Sequence, residues 1–189
     1  PTPENYAAVI NNLYKEKAPE VLKRYPGNNE QQVIASATAL ASDRFIEYST
    51  WKWAELQRAT GGQSVYRYLF SRPRPPQVGA SDKASQGTLP PPLKGAAHSW
   101  EIEYALGNLA TNKTYAWTPD DYKVSATMED YFANFIKTGN PNGDDLPHWT
   151  ANAKGKPVQV MNINVTSVLQ PESEKHREQH KLLDQFYGK

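Results

Sequence analysis

Gly95-Ala96-Ala97-His98-Ser99-Trp100-Glu101-Ile102-Glu103-Tyr104-Ala105-Leu106-Gly107-Asn108-Leu109 is the stretch on which the reading of this chain turns. It places one histidine between a proline-rich loop, at about 71–97, and a short amphipathic helix closed by Gly107. A histidine on a loop that a rigid element holds in place is how a fold presents a general base. Neutral imidazole, titrating near ~6.5, can take a hydroxyl proton at physiological pH. Spacing alone favours the plainer alternative, a partly buried histidine bonded to a loop carbonyl.

Outward from this stretch the chain is mostly helical. Thr2-Pro3 offers a cap and a proline at the first helical position, and Tyr6, Val9, Ile10, Leu13 and Tyr14 then recur at helical spacing. A short helix over about Pro19–Tyr25 stops at Pro26-Gly27. The pattern is helical again from Glu30 to about Thr60, with Phe45, Ser49, Trp53 and Leu56 near one stripe and a break or new N-cap at Ser42-Asp43. Ser64–Phe70 is aromatic and β-branched and reads as a strand.

Downstream, Thr118-Pro119-Asp120-Asp121 supplies cap, proline and first-turn acids to a long helix. Val124, Met128, Tyr131, Phe132, Phe135 and Ile136 form its expected buried stripe, and Gly139 closes it. Val158–Ile163 reads as a second strand, and Pro171–Tyr187 as a polar helix whose apolar residues collect at its end. Two strands cannot cover the apolar faces of so many helices. The helix–strand–helix–strand–helix order fits part of a larger α/β sheet better than an all-helical fold with one hairpin.

Composition bounds the function classes. At 189 residues the chain is long enough for one domain with a sizeable core, taken as 1–189. Lys+Arg is 21 and Asp+Glu 20, a net charge of +1 with no long basic run, which argues against nucleic acid or an anionic membrane as the main partner. No apolar run approaches ~18 residues and no signal peptide opens the sequence. The absence of cysteine excludes disulfides, thiol nucleophiles and thiolate metal sites. Asn112-Lys113-Thr114 and Asn164-Val165-Thr166 are formal glycosylation sequons.

The other candidates for chemistry are weaker. His176 and His180 stand at i and i+4, but Arg177 rather than Glu follows the first, so the zinc-protease motif fails and a solvated helix face is expected. His148 falls in a surface turn, Leu146-Pro147-His148-Trp149. Gly62-Gln63-Ser64-Val65-Tyr66 lacks the second glycine of a nucleophile elbow and precedes a strand rather than following one. Glu4 is explained by its place in the first turn of a capped helix; Glu101 and Glu103 would point away from His98, and Glu101 reads as a structural hydrogen-bonding residue.

The segment containing His98 resembles the catalytic-histidine segment of type B carboxylesterases, Gly-Ala-x-His-x-x-Glu-Ile-x-Tyr-x-x-Gly-Asn-Leu. Gly95, Ala96, His98, Glu101, Ile102, Tyr104, Gly107, Asn108 and Leu109 all match. Tyr131 to Pro141 is similar to the family's Tyr-Trp-x-x-Phe-x-Lys-Thr-Gly-Asn-Pro, and Leu146-Pro147-x-Trp149 to its Leu-Pro-x-Trp. The likeness runs from roughly Gln32 to Tyr187.

It implies an α/β fold class: the C-terminal part of an α/β-hydrolase fold, few strands and mostly helices, completed by a missing N-terminal segment. It also implies that His98 is the histidine of a Ser-His-Glu triad, that Trp100 lines the substrate pocket or else belongs to the core, and that no metal or organic cofactor is needed. The implied partners are the N-terminal segment or chain with the nucleophilic serine and the acid, and a small-molecule ester. A secreted or periplasmic setting is slightly favoured. Two alternatives remain at this stage, a cholinesterase-like binding or adhesion domain without catalysis, and an independent helical interaction domain in which His98 is structural.

Overall fold

The structure, a computed structural model, describes residues 1–80 and 95–188. Most of the proline-rich loop expected at 71–97 lies outside those residues. They form two compact units, Pro1–Val65 with the segment from Glu172 onward, and Tyr66–Pro171.

The first unit is helical. Helix α1 (Pro3–Tyr14) starts where the Thr2 hydroxyl accepts the Asn5 N–H, with Pro3 in the first turn. Helix α2 (Ala18–Arg24) follows a 3₁₀ turn, and α3 (Glu30–Ser42) opens on the Asn29 side chain, which accepts the Gln32 N–H at 2.9 Å. Between α3 and α4 (Tyr48–Thr60) the chain does not break. A π-helical turn over Asp43–Glu47 carries it through, and Ser42 keeps helical dihedrals. The cap expected at Ser42-Asp43 is therefore absent, and the reason is long-range. The buried Asp43 carboxylate accepts the Tyr25 hydroxyl at 2.7 Å and faces His180 Nε2 at 3.1 Å.

The last helix of this unit, which becomes α7 in chain order, spans Glu174–Tyr187 and begins under the Ser173 hydroxyl. Its Leu182 and Leu183 join Tyr6, Ile10, Val21, Tyr25, Val33 and Leu40 in one apolar core. The anticipated solvated histidine face is half wrong. His176 is exposed, but His180 is only 5% exposed, bonded to Asp43 and tilted over Trp51 with ring centroids 5.5 Å apart. The stripe Phe45–Trp53–Leu56 faces solvent instead, Trp53 at 74% exposure, while Trp51 carries the burial for α4.

The second unit wraps a long helix around a small sheet. Strand β1 (Tyr68–Phe70) runs parallel to β2 (Gln159–Ile163), pairing Tyr68 with Met161 and Phe70 with Ile163. Strand β3 (Val168–Pro171) returns antiparallel to β2. β3 corrects the expectation of a helix from Pro171. The turn before it is built by Asn164, whose side-chain oxygen accepts the Val165 N–H at 2.8 Å.

Helix α5 (Ile102–Ala105) packs on α6 (Pro119–Thr138). At the start of α6, Thr118 and Asp121 form a reciprocal capping box. At its end Gly139 adopts the left-handed conformation, φ 74°, that closes a helix most cheaply without a Cβ. Val124, Met128 and Tyr131 are fully buried with Phe70, Tyr104, Leu109, Trp149, Met161 and Ile163. Burial raises the Tyr131 hydroxyl to about 12, and it donates to the Pro147 carbonyl at 2.6 Å.

The stripe is shorter than its sequence suggests. Phe135 and Ile136 are exposed, Ile136 at 81%, and with Tyr66, Tyr68, Phe132 and Trp149 they line an open apolar pocket of about 240 Å³. Two asparagines act as backbone clamps. Asn142 accepts the Trp149 N–H at 2.6 Å and donates to its carbonyl at 2.9 Å, and Asn152 does the same to Gln159 at 2.7 and 2.9 Å. Each closes its loop as a strand partner would.

Candidate catalytic histidine segment

His98 lies on an exposed turn just before α5, within the second unit. Ala97 accepts the Trp100 N–H at 3.2 Å across this turn, and Ser99, directly after the histidine, has φ 68°. A non-glycine residue in the left-handed region is a strained conformation that persists only where its surroundings fix it, and such residues gather at functional sites.

What fixes the turn is α5. Tyr104 is fully buried: its ring lies 4.9 Å from Phe70 and edge-on to Trp117 at 5.7 Å, and its hydroxyl donates to Asp121 Oδ1 at 3.0 Å. Ser125 on α6 adds a 2.8 Å hydrogen bond to the Tyr104 carbonyl. Asp121, itself with no exposed surface, also accepts Arg72 Nε at 2.7 Å, the Thr118 N–H at 2.9 Å and the Thr118 hydroxyl at 2.6 Å. Burial pushes the Asp121 carboxyl up, but the hydrogen bonds from Arg72, Thr118 and Tyr104 outweigh it and hold the group below the ordinary carboxylate value. Burial and the neighbouring Asp121 together raise the Tyr104 hydroxyl, so it stays a donor at any physiological pH.

A second brace lies on the other side of α5. Arg74 pairs with Glu103 at 2.6 Å, both side chains largely buried, and Glu103 also accepts the Asn112 side-chain amide. The Arg74 guanidinium sits 5.2 Å from the Trp100 ring centroid and 4.9 Å from that of Tyr115, within the reach of cation–π attraction. Trp100 is half-buried against the core of this unit. Glu103 is thus the acid that braces α5, while Glu101 lies close enough to Tyr68 for its charge to add to the effect of burial in raising that phenol. His148 is exposed in its turn, as expected.

Both sequon asparagines are engaged: Asn112 on Glu103, and Asn164 donating to the Ser71 hydroxyl at 3.0 Å. Sequence reasoning passed over Arg72 and Arg74. Their spacing at i and i+2 in an extended segment, ahead of Asp121 and Glu103, was the available signal.

The family model for carboxylesterases matches residues 2–182. The chain belongs to the carboxylesterase family. Carboxylesterase 4A of Bos taurus is 30% identical over 147 residues, 73% of this chain and 24% of that protein. Acetylcholinesterase of Bungarus fasciatus is 33% identical over 104 residues, 54% of this chain and 15% of that protein. A solved PNB esterase superposes with a TM-score of 0.59 at 20% identity, over 94% of this chain and 32% of that one. At that identity the likeness speaks for the fold, and it is the α/β-hydrolase fold. This carboxylesterase-family chain takes the helix-rich C-terminal part of it, spanning about a third of the PNB esterase and a quarter of carboxylesterase 4A. Among the described residues no helix is long and apolar enough to cross a membrane.

Proposed function

We propose that this chain supplies the general base of a serine carboxylesterase, with His98 as the histidine of a Ser-His-Glu triad. The observation that carries the reading is the matched segment from Gly95 to Leu109, held by Tyr104–Asp121–Arg72 on one side of α5 and Glu103–Arg74 on the other. Family membership supports it, as do relatives whose names are esterases.

In the proposed reaction His98 takes the proton of a serine hydroxyl as that oxygen bonds to the ester carbonyl carbon. The imidazolium returns the proton to the leaving alkoxide as its bond to carbon breaks, leaving an acyl-enzyme. Water repeats the sequence: His98 accepts its proton, hydroxyl bonds the acyl carbon, and the serine oxygen leaves with the proton. A carboxylate partner orients the imidazole and stabilises its charged form. Serine, acid and oxyanion-hole donors come from outside residues 1–189, which contain no Gly-x-Ser-x-Gly.

The partner is therefore an N-terminal carboxylesterase segment or chain, and the substrate a small-molecule ester, with Trp100 toward its pocket. The exposed apolar surfaces, Phe45–Trp53–Leu56 in one unit and the Phe132–Phe135–Ile136 pocket in the other, suit such a partner. No nucleic acid, membrane or cofactor enters, and residues 1–189 alone are inert.

The test is covalent labelling of the complete polypeptide with a fluorophosphonate, which requires an activated serine. Labelling at a serine outside residues 1–189, lost on His98→Ala, is expected. A complete polypeptide that resists the probe is a binding domain instead, and overturns the proposal.

A further inference from the structure

The first unit holds a cluster of donors that ester hydrolysis does not use. Asp43 and Glu47 stand four residues apart on the π-helical turn, and His180 comes to them from α7. One ligand atom from each lies within 4.8 Å of the others. We propose that Asp43, Glu47 and His180 bind a divalent transition-metal cation of the zinc class, clamping α7 to the α3–α4 run.

Three observations converge there. The donor atoms are close to bonding range: ligands at about 2.0–2.2 Å from a tetrahedral zinc stand roughly 3.3–3.6 Å apart, so closure needs an inward shift of about 1 Å. Asp43 is already oriented: the Tyr25 hydroxyl, which burial and Asp43 keep protonated, donates to its other oxygen at 2.7 Å, as an outer-shell group does for a ligating carboxylate. The imidazole is held by Trp51, with ring centroids 5.5 Å apart, and turns Nε2 toward Asp43 Oδ1 at 3.1 Å.

The donor set selects the cation. Two carboxylates with an imidazole suit zinc and its neighbours, whereas calcium and magnesium take all-oxygen cages. Glu47 is exposed and provides the entry side. His180 thus finds its acid on another helical segment, 137 residues away in sequence.

The experiment is calorimetric titration of the complete polypeptide, freed of metal by chelator, with zinc chloride alone. One zinc per chain is expected, with affinity falling about tenfold or more in both Glu47→Gln and His180→Gln, and with a rise in melting temperature on zinc addition only in the parent protein. Glu47→Gln is an exposed, near-isosteric change, so it decides the matter if His180→Gln does not fold. Absence of stoichiometric binding, or binding that Glu47→Gln weakens by less than that, assigns any zinc to surface histidines and overturns the proposal.

Discussion

Replacing Asp121 with alanine should unlock the element that carries His98. The carboxylate accepts from Arg72 at 2.7 Å, Tyr104 at 3.0 Å, and the Thr118 amide and hydroxyl at 2.9 and 2.6 Å, with no exposed surface of its own. Alanine removes the acceptor of all four hydrogen bonds at once. The Tyr104 hydroxyl is left buried without a partner, at about 1–3 kcal/mol. Arg72, its side chain 20% exposed, loses its counter-charge; removing one member of such a buried pair costs about 3–5 kcal/mol. The lost cap adds about 1 kcal/mol. These losses share donors and do not sum, so about 3–5 kcal/mol is the expected whole.

The assay is amide hydrogen exchange in the first turns of α6 and through α5, which reads local opening without assuming that both units unfold together. At about 1.4 kcal/mol per tenfold, exchange there should accelerate by roughly two to three and a half orders of magnitude. Asp121→Asn, which keeps one acceptor oxygen, should lose about half as much free energy. An acceleration below about tenfold in Asp121→Ala would refute the reasoning, because it would mean Tyr104 and Arg72 find other partners.

Three further outcomes follow from the same geometry. Because the folded-state value of Asp121 lies below its unfolded one, its contribution is fully present above about pH 4 and lost as pH falls through the lower folded value; protection of α6 should drop in acid in the parent and vary less in Asp121→Asn. Asn142→Ala breaks both clamp bonds to Trp149 and leaves the buried Trp149 N–H unpaired, so urea unfolding should show a loss of about 2 kcal/mol. Gly107→Ala puts a Cβ at φ 64° and against the Glu129 carboxylate, and should cost about 1–2 kcal/mol by the same measurement, whereas Ala105→Gly in α5 should cost less.

The features legible in the sequence are those whose causes are local. Thr2-Pro3, Thr118-Pro119-Asp121 and Gly139 mark helix ends because a cap needs only its own neighbours. Asp43 was misread for the opposite reason. An acid after serine looks like a new cap until Tyr25 and His180, 18 and 137 residues away, claim its carboxylate. The same partner pulls His180 out of the solvated face that its polar neighbours suggest. β3 escaped notice because four mostly exposed residues ending in proline carry no alternation, and only pairing with β2 makes them a strand.

Phe135 and Ile136 continue the apolar period of α6 beyond the point where the described residues bury them. The candidate site was legible through the identity of nine residues around His98 rather than through any physical pattern. Its braces, Arg72 and Arg74, join residues 49 and 29 positions apart, which no local reading pairs.

The most direct test of the central claim is kcat/KM of the complete polypeptide on a para-nitrophenyl ester, before and after His98→Ala. Because His98 is exposed, the variant should keep its near-ultraviolet circular dichroism and melting temperature. The rate should fall by about 10,000-fold or more. A native-like variant that retains a rate within about tenfold of the parent would contradict the account, since the general base would then be another residue.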